Sequence, residues 1–128
     1  MKYGYQKTID LTFENVNEKL REALMQVGFG IITEIDVQST FKEKLGIDYV
    51  RFQILGACNP GLAIKALNIE REVGLLLPCN VIFWENQDSS VTVSSIDAEI
   101  QLGVTDDERL SRLGREVNEL LVQAIDSI

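Results

Sequence analysis

The sequence contains no histidine. That absence removes the imidazole base of Ser-His-Asp and Cys-His nucleophiles, every histidine metal ligand and the usual neutral-pH switch. Basic residues are scarce: 12 Lys and Arg stand against 20 Asp and Glu, for a net charge of -8. Nucleic-acid binders carry a basic footprint, so no nucleic-acid partner is expected. Two cysteines, Cys58 and Cys79, are too few for a disulfide scaffold and lack the Cys-x-x-Cys spacing of zinc and redox motifs. No apolar run reaches the roughly 18 residues of a membrane-spanning helix. The start, Met1-Lys2-Tyr3-Gly4-Tyr5, lacks the apolar segment of a secretory leader. The expected location is therefore the cytoplasm, with both thiols reduced and no membrane partner. P-loop, GxGxxG, HExxH and EF-hand patterns are all missing, so no cofactor is expected.

What remains is ordinary globular material. The 128 residues are 45% hydrophobic and 25% charged, which fits one domain over residues 1–128. Residues 3–9 read as a strand. Phe13, Val16, Leu20, Leu24 and Val27 recur at helical spacing, with Thr12 as N-cap and Gly28 at the left-handed stop. Residues 30–38 predict a half-buried strand, with Ile31, Thr33 and Ile35 facing one way and Ile32, Glu34 and Asp36 the other. Thr40 to Glu43 matches a capping box and opens a short helical turn ending at Gly46. Residues 49–57 predict the next strand. Asn59-Pro60 then starts a helix whose buried face is Leu62, Ala63, Ala66 and Leu67.

Leu75, Leu76 and Leu77 with residues 79–85 read as an apolar strand run. Pro78 inside it marks an edge, a bulge or the true strand start. Residues 86–90 are a polar turn and 91–96 a strand, which predicts an antiparallel hairpin. Thr105 to Glu108 is a second capping box, ahead of a stripe of Leu110, Leu113, Val117, Leu120, Leu121, Ala124 and Ile128. The resulting order is β-α-β-β-α-β-β-α. It predicts an α+β fold in two layers: a single curved antiparallel sheet with two long helices on one face.

Two segments are chemically alike. Leu55-Gly56-Ala57-Cys58-Asn59-Pro60 and Leu76-Leu77-Pro78-Cys79-Asn80-Val81 each carry a Cys-Asn step. Cys58 precedes a helix start, where unpaired N–H groups and the positive dipole end favour a thiolate. Cys58, Asn59, Cys79 and Asn80 are therefore the candidate ligand-binding residues, and Cys58 and Cys79 the candidate catalytic thiols. The alternative is that both cysteines are small core residues and Asn59 a plain helix cap. A second group is acidic: Glu34 and Asp36 share one strand face, and Asp97 and Glu99 another. If the sheet gathers them, their oxygens suit a hard cation; otherwise they solvate an open face. Trp84 and Ile82 face away from Val81 and Phe83, which suggests an apolar patch for a partner.

These segments carry a resemblance. Gly28-Phe29-Gly30, Thr33 to Val37, Phe41 to Gly46, Leu55 to Pro60, Gly74 to Val81 and Ser95-Ile96-Asp97 are similar, in that order, to the uncharacterised family called domain of unknown function 302. The resemblance implies a small α+β domain that forms homodimers, and it implies no reaction. Three functions stay open: a small-ligand binding module at the two Cys-Asn motifs, a thiol enzyme or sulfur carrier using Cys58 with Cys79, and a structural interaction protein.

Overall fold

The helical stripe beginning at Phe13 and the period-2 strands around it meet in one layer of helices against one sheet. The computed structural model describes residues 2–128; Met1, first residue of the expected span and start, lies outside the described residues. The strands are β1 (Gly4–Ile9), β2 (Gly30–Asp36), β3 (Phe52–Cys58), β4 (Cys79–Glu85) and β5 (Val91–Ile96). They form one sheet in the order β1-β5-β4-β3-β2, with every pair antiparallel. The helices are α1 (Phe13–Gln26), α2 (Val37–Leu45), α3 (Pro60–Ile69), α4 (Ala98–Gly103) and α5 (Glu108–Asp126), with a 3-10 helix at Arg71–Leu76. The fold is the expected α+β class. Among the described residues, no helix is long and apolar enough to cross a membrane.

The main core lies between one sheet face and the two long helices. Val16, Leu20 and Leu24 of α1 and Leu121 and Ile125 of α5 pack against Leu55, Val81, Phe83 and Val93. A second, smaller cluster joins Ala66, Val73, Leu102 and Leu110, with Leu76, Leu77 and Leu113 against it. Gly114 lets α4 approach α5: a methyl there would stand 2.5 Å from the Ala98 carbonyl oxygen.

Several local expectations need correction. Neither proposed capping box caps a helix. Asp36 caps α2 by accepting from the Ser39 N–H at 2.9 Å, four residues before Thr40. Asp107 caps α5 by accepting from the Arg109 N–H at 2.9 Å, while the Thr105 hydroxyl donates back to the Leu102 carbonyl at 2.7 Å. A threonine hydroxyl loses to a carboxylate as an anionic acceptor at the positive end of a helix. Leu75 and Leu76 lie in the 3-10 helix, and β4 starts directly after Pro78, the third of its three readings. Strand β2 is an exposed sheet edge instead of a half-buried strand. Its register slips between Ile31 and Thr33, so Ile31 opposes Ala57 while Thr33 opposes Gly56. A β-bulge of this kind re-aims side chains. It puts Ile31 on the opposite face from Thr33 and Ile35, against the simple alternation.

Candidate functional site

The first Cys-Asn step stands where β3 gives way to α3. The Asn59 side-chain oxygen accepts from the Leu62 N–H at 3.2 Å and Pro60 takes the first helical position, as the sequence predicts. The second step opens β4. Ala57 and Cys79 are direct register partners, so Cys58 lies diagonally from Cys79 across the strand pair. Cys58, Asn59 and Cys79 all line a cavity of about 280 Å³. Asn80 does not join them. It opposes Gly56, on the sheet face away from the helices, and it is exposed.

The cavity exists because two clusters fail to close on each other. Phe29, Ala57, Cys79 and Val117 belong to the main core; Ala66, Leu77, Leu102 and Leu113 belong to the smaller one; all of them wall the cavity. Helix α3 forms the span between. Its Leu62, Ala63, Ala66 and Leu67, the face marked by sequence for burial, all line the cavity, and only Ala66 is fully buried. The bulged Ile32 reaches it from the sheet edge. The space is open to solvent on one side, where Ile32 and Leu67 of its lining are exposed.

The two thiols differ. Cys58 is half-buried and Cys79 buried, and neither is in a disulfide. Burial pushes the Cys79 thiol up to about 11, and nearby Cys58 adds to the rise. Cys79 Sγ donates to Gln101 Oε1 at 3.7 Å. The Gln101 amide nitrogen donates to the Leu76 carbonyl, which leaves its oxygen for the sulfur. A carbonyl oxygen can only accept, so this contact selects the protonated thiol. Gln101 carried no signal in the sequence. Helix α4 is too short to show a periodic stripe, and only its N-cap Asp97 marks its start.

The four acidic candidates do not assemble. Glu34 is held by the Arg21 guanidinium, whose hydrogen bond draws its carboxyl below the usual range. Asp36 caps α2, and Asp97 caps α4 by accepting from the Ile100 N–H at 3.0 Å. Asp97 also accepts from the Asn118 amide at 2.8 Å, and Glu99 pairs with Arg115 at 3.0 Å. Each carboxylate thus has a structural partner, β2 and β5 are separated by two strands, and no metal-holding group of acids or cysteines forms among the described residues.

No curated protein matches the chain. Among solved structures, the chain is similar to an uncharacterized conserved DUF302 protein from Bacillus stearothermophilus. The TM-score is 0.91 at 25% sequence identity, with 98% of each chain covered. The two chains therefore share one fold over nearly their whole length. A family model described as domain of unknown function DUF302 matches residues 5–128, and the chain belongs to that family.

Proposed function

We propose that the chain works as one domain that binds a small ligand in the cavity beside Cys58, Asn59 and Cys79. The observation that carries this reading is the cavity of about 280 Å³ under the apolar face of α3. Its volume is near the lower end of small-molecule pockets, which run from roughly 300 Å³ upward. The test is methyl NMR of the protein titrated with naphthalene. Saturable shifts confined to Ala57, Leu62, Leu102 and Leu113 support the reading, and Ala63→Phe, which fills the space, should abolish them. Naphthalene that shifts none of these methyls overturns it.

The thiol-enzyme reading, with Cys58 attacking and Cys79 resolving, draws support from both cysteines lining one cavity. It is weakened by the high pKa of Cys79 and its bond to Gln101, which keep it a thiol at neutral pH. We also propose a cytoplasmic homodimer. Its support is the sheet face away from the helices, on which Thr92 and Ser94 are buried and Ile35 is exposed. Gln6, Ser94, Ile82, Ile54 and Ile35 form one row across the strands, and Thr8, Thr92, Trp84 and Phe52 the next. None of these nine is charged, in a chain of net charge -8. Phe52 and Trp84 stack at 5.6 Å between ring centres. Two copies of so acidic a chain repel each other least across such a face.

A further inference from the structure

Where the preceding reading leaves the ligand open, the chemistry of the cavity wall narrows it. Of the side chains that line the cavity, only that of Asn59 carries nitrogen or oxygen. The others are hydrocarbon apart from the two thiols, and none is charged.

The Asn59 amide is only half used. Its oxygen accepts from the Leu62 N–H at 3.2 Å, which caps α3 and fixes which end of the amide is nitrogen. The nitrogen carries two N–H donors and has no hydrogen-bond partner among the described residues. Among those residues, no side-chain nitrogen or oxygen is sealed from solvent without a partner, so Asn59 Nδ2 borders open space. Gly28 passes beside it without a side chain; a Cβ there would stand 3.1 Å from the nitrogen.

An apolar wall with one free amide donor selects its occupant. A cation finds no free side-chain acceptor, because the Asn59 oxygen is committed to Leu62. A carboxylate would exchange its hydration for one neutral amide, and burying a charge without an opposite charge is costly. The net charge of -8 adds long-range repulsion of anions. A plain hydrocarbon leaves the donor unmatched, whereas an uncharged oxygen acceptor pairs it at a net gain. The volume sets the size. A dry apolar cavity of about 150 Å³ takes one benzene. This space of about 280 Å³ suits roughly ten non-hydrogen atoms.

We propose that the ligand is an uncharged, largely apolar carbonyl compound whose carbonyl oxygen accepts from Asn59 Nδ2. The binding is non-covalent, and Cys58 and Cys79 serve only as wall. Asn59 then does two tasks with one amide: its oxygen holds the helix start and its nitrogen reads the ligand. This inference rests on the small-ligand reading of the same cavity.

The test titrates the full chain with 1-indanone and with indane, the same ring frame without the carbonyl, followed by NMR of methyl groups and side-chain amides. Both compounds should shift the methyls of Leu62, Leu102 and Leu113. Only 1-indanone should move the Asn59 Nδ2–H resonances downfield. Asn59→Asp keeps an acceptor for the Leu62 N–H and removes both donors. It should raise the Kd of 1-indanone about fivefold and change that of indane less than about twofold. Asn59 amide resonances that stay put with 1-indanone, or that respond alike to indane, overturn the proposal. Equal weakening of both compounds by Asn59→Asp does the same. The wild-type amide resonances decide the matter if that variant does not fold. Indane-1-carboxylate binding more tightly than 1-indanone overturns the choice of an uncharged ligand. Indane separates the two failures. If indane binds and the carbonyl changes nothing at Asn59, only the ligand class is wrong; if neither compound shifts the cavity methyls, the small-ligand reading falls with it.

Discussion

Cys58 and Cys79 show how far residue type constrains chemistry. The sequence marked both through the Cys-Asn repeat, but their environments were set by neighbours distant in the chain. Gln101, 22 positions beyond Cys79, accepts from its thiol. This has a consequence at alkaline pH. In the unfolded chain the Cys79 thiol returns to its ordinary value of 9.0, while the fold raises it to about 11. The stability attached to the protonated thiol is fully present below pH 9 and is lost as pH rises to about 11, because only the unfolded state then gives up its proton. The loss should amount to about 2 to 3 kcal/mol. Denaturant melts at pH 8 and above pH 11 should show this difference shrinking in Cys79→Ala; an unchanged difference would mean that another group titrates. At neutral pH, iodoacetamide should label Cys58 at least tenfold faster than Cys79. Equal, slow labelling would make Cys58 a packed core residue.

At the scale of elements, α5 is the clearest case of a pattern realised. Its stripe was fully legible, and Leu110, Val117, Leu121 and Ala124 are buried as expected. Leu113 and Leu120 from the same stripe are only half-buried. Leu113 borders the cavity, so one side of it has no packing partner. Leu121→Ala should therefore cost about 2 to 5 kcal/mol, and Leu113→Ala distinctly less. Thermal melts of the pair compare them directly; equal losses would mean that the space beside Leu113 is closed. Gly114 makes the opposite point. A glycine inside a helix reads as a weakness, but here it admits α4 against α5. Gly114→Ala should destabilise by about 1 to 3 kcal/mol despite its better helix propensity. A gain in stability would show that α4 can move aside. Helix α4 was itself missed, because six residues span too little helix for periodicity to show.

For the whole molecule, the sheet presents two unlike faces. One is filled by α1 and α5; the other carries Ile35, Ile54, Ile82, Phe52 and Trp84 without a charge. Sedimentation at micromolar concentration should give twice the chain mass. Ile82→Lys should halve that mass while leaving the circular dichroism unchanged, because a central charge on a self-complementary face is duplicated by the two-fold axis. A monomeric wild type would remove the dimer.

Elements with strong local signals, and with them the class of fold, were legible from the chain alone. The α1 and α5 stripes, the Asn59-Pro60 helix start, the Gly28 stop and the antiparallel hairpin of β4 and β5 each follow from interactions within a few residues. The rest followed from contacts between elements distant in the chain. Which acid capped α2 depended on where β2 ended. Which way Ile32 pointed depended on a bulge against β3. The acids at Glu34, Asp36, Asp97 and Glu99 were drawn apart to partners on separate elements. The cavity beside Cys58 depended on how nearly two apolar clusters closed on α3. Periodicity reports which face of a helix avoids water. Whether that face meets side chains or a space is a property of the packed assembly, and α3 shows both outcomes on a single face.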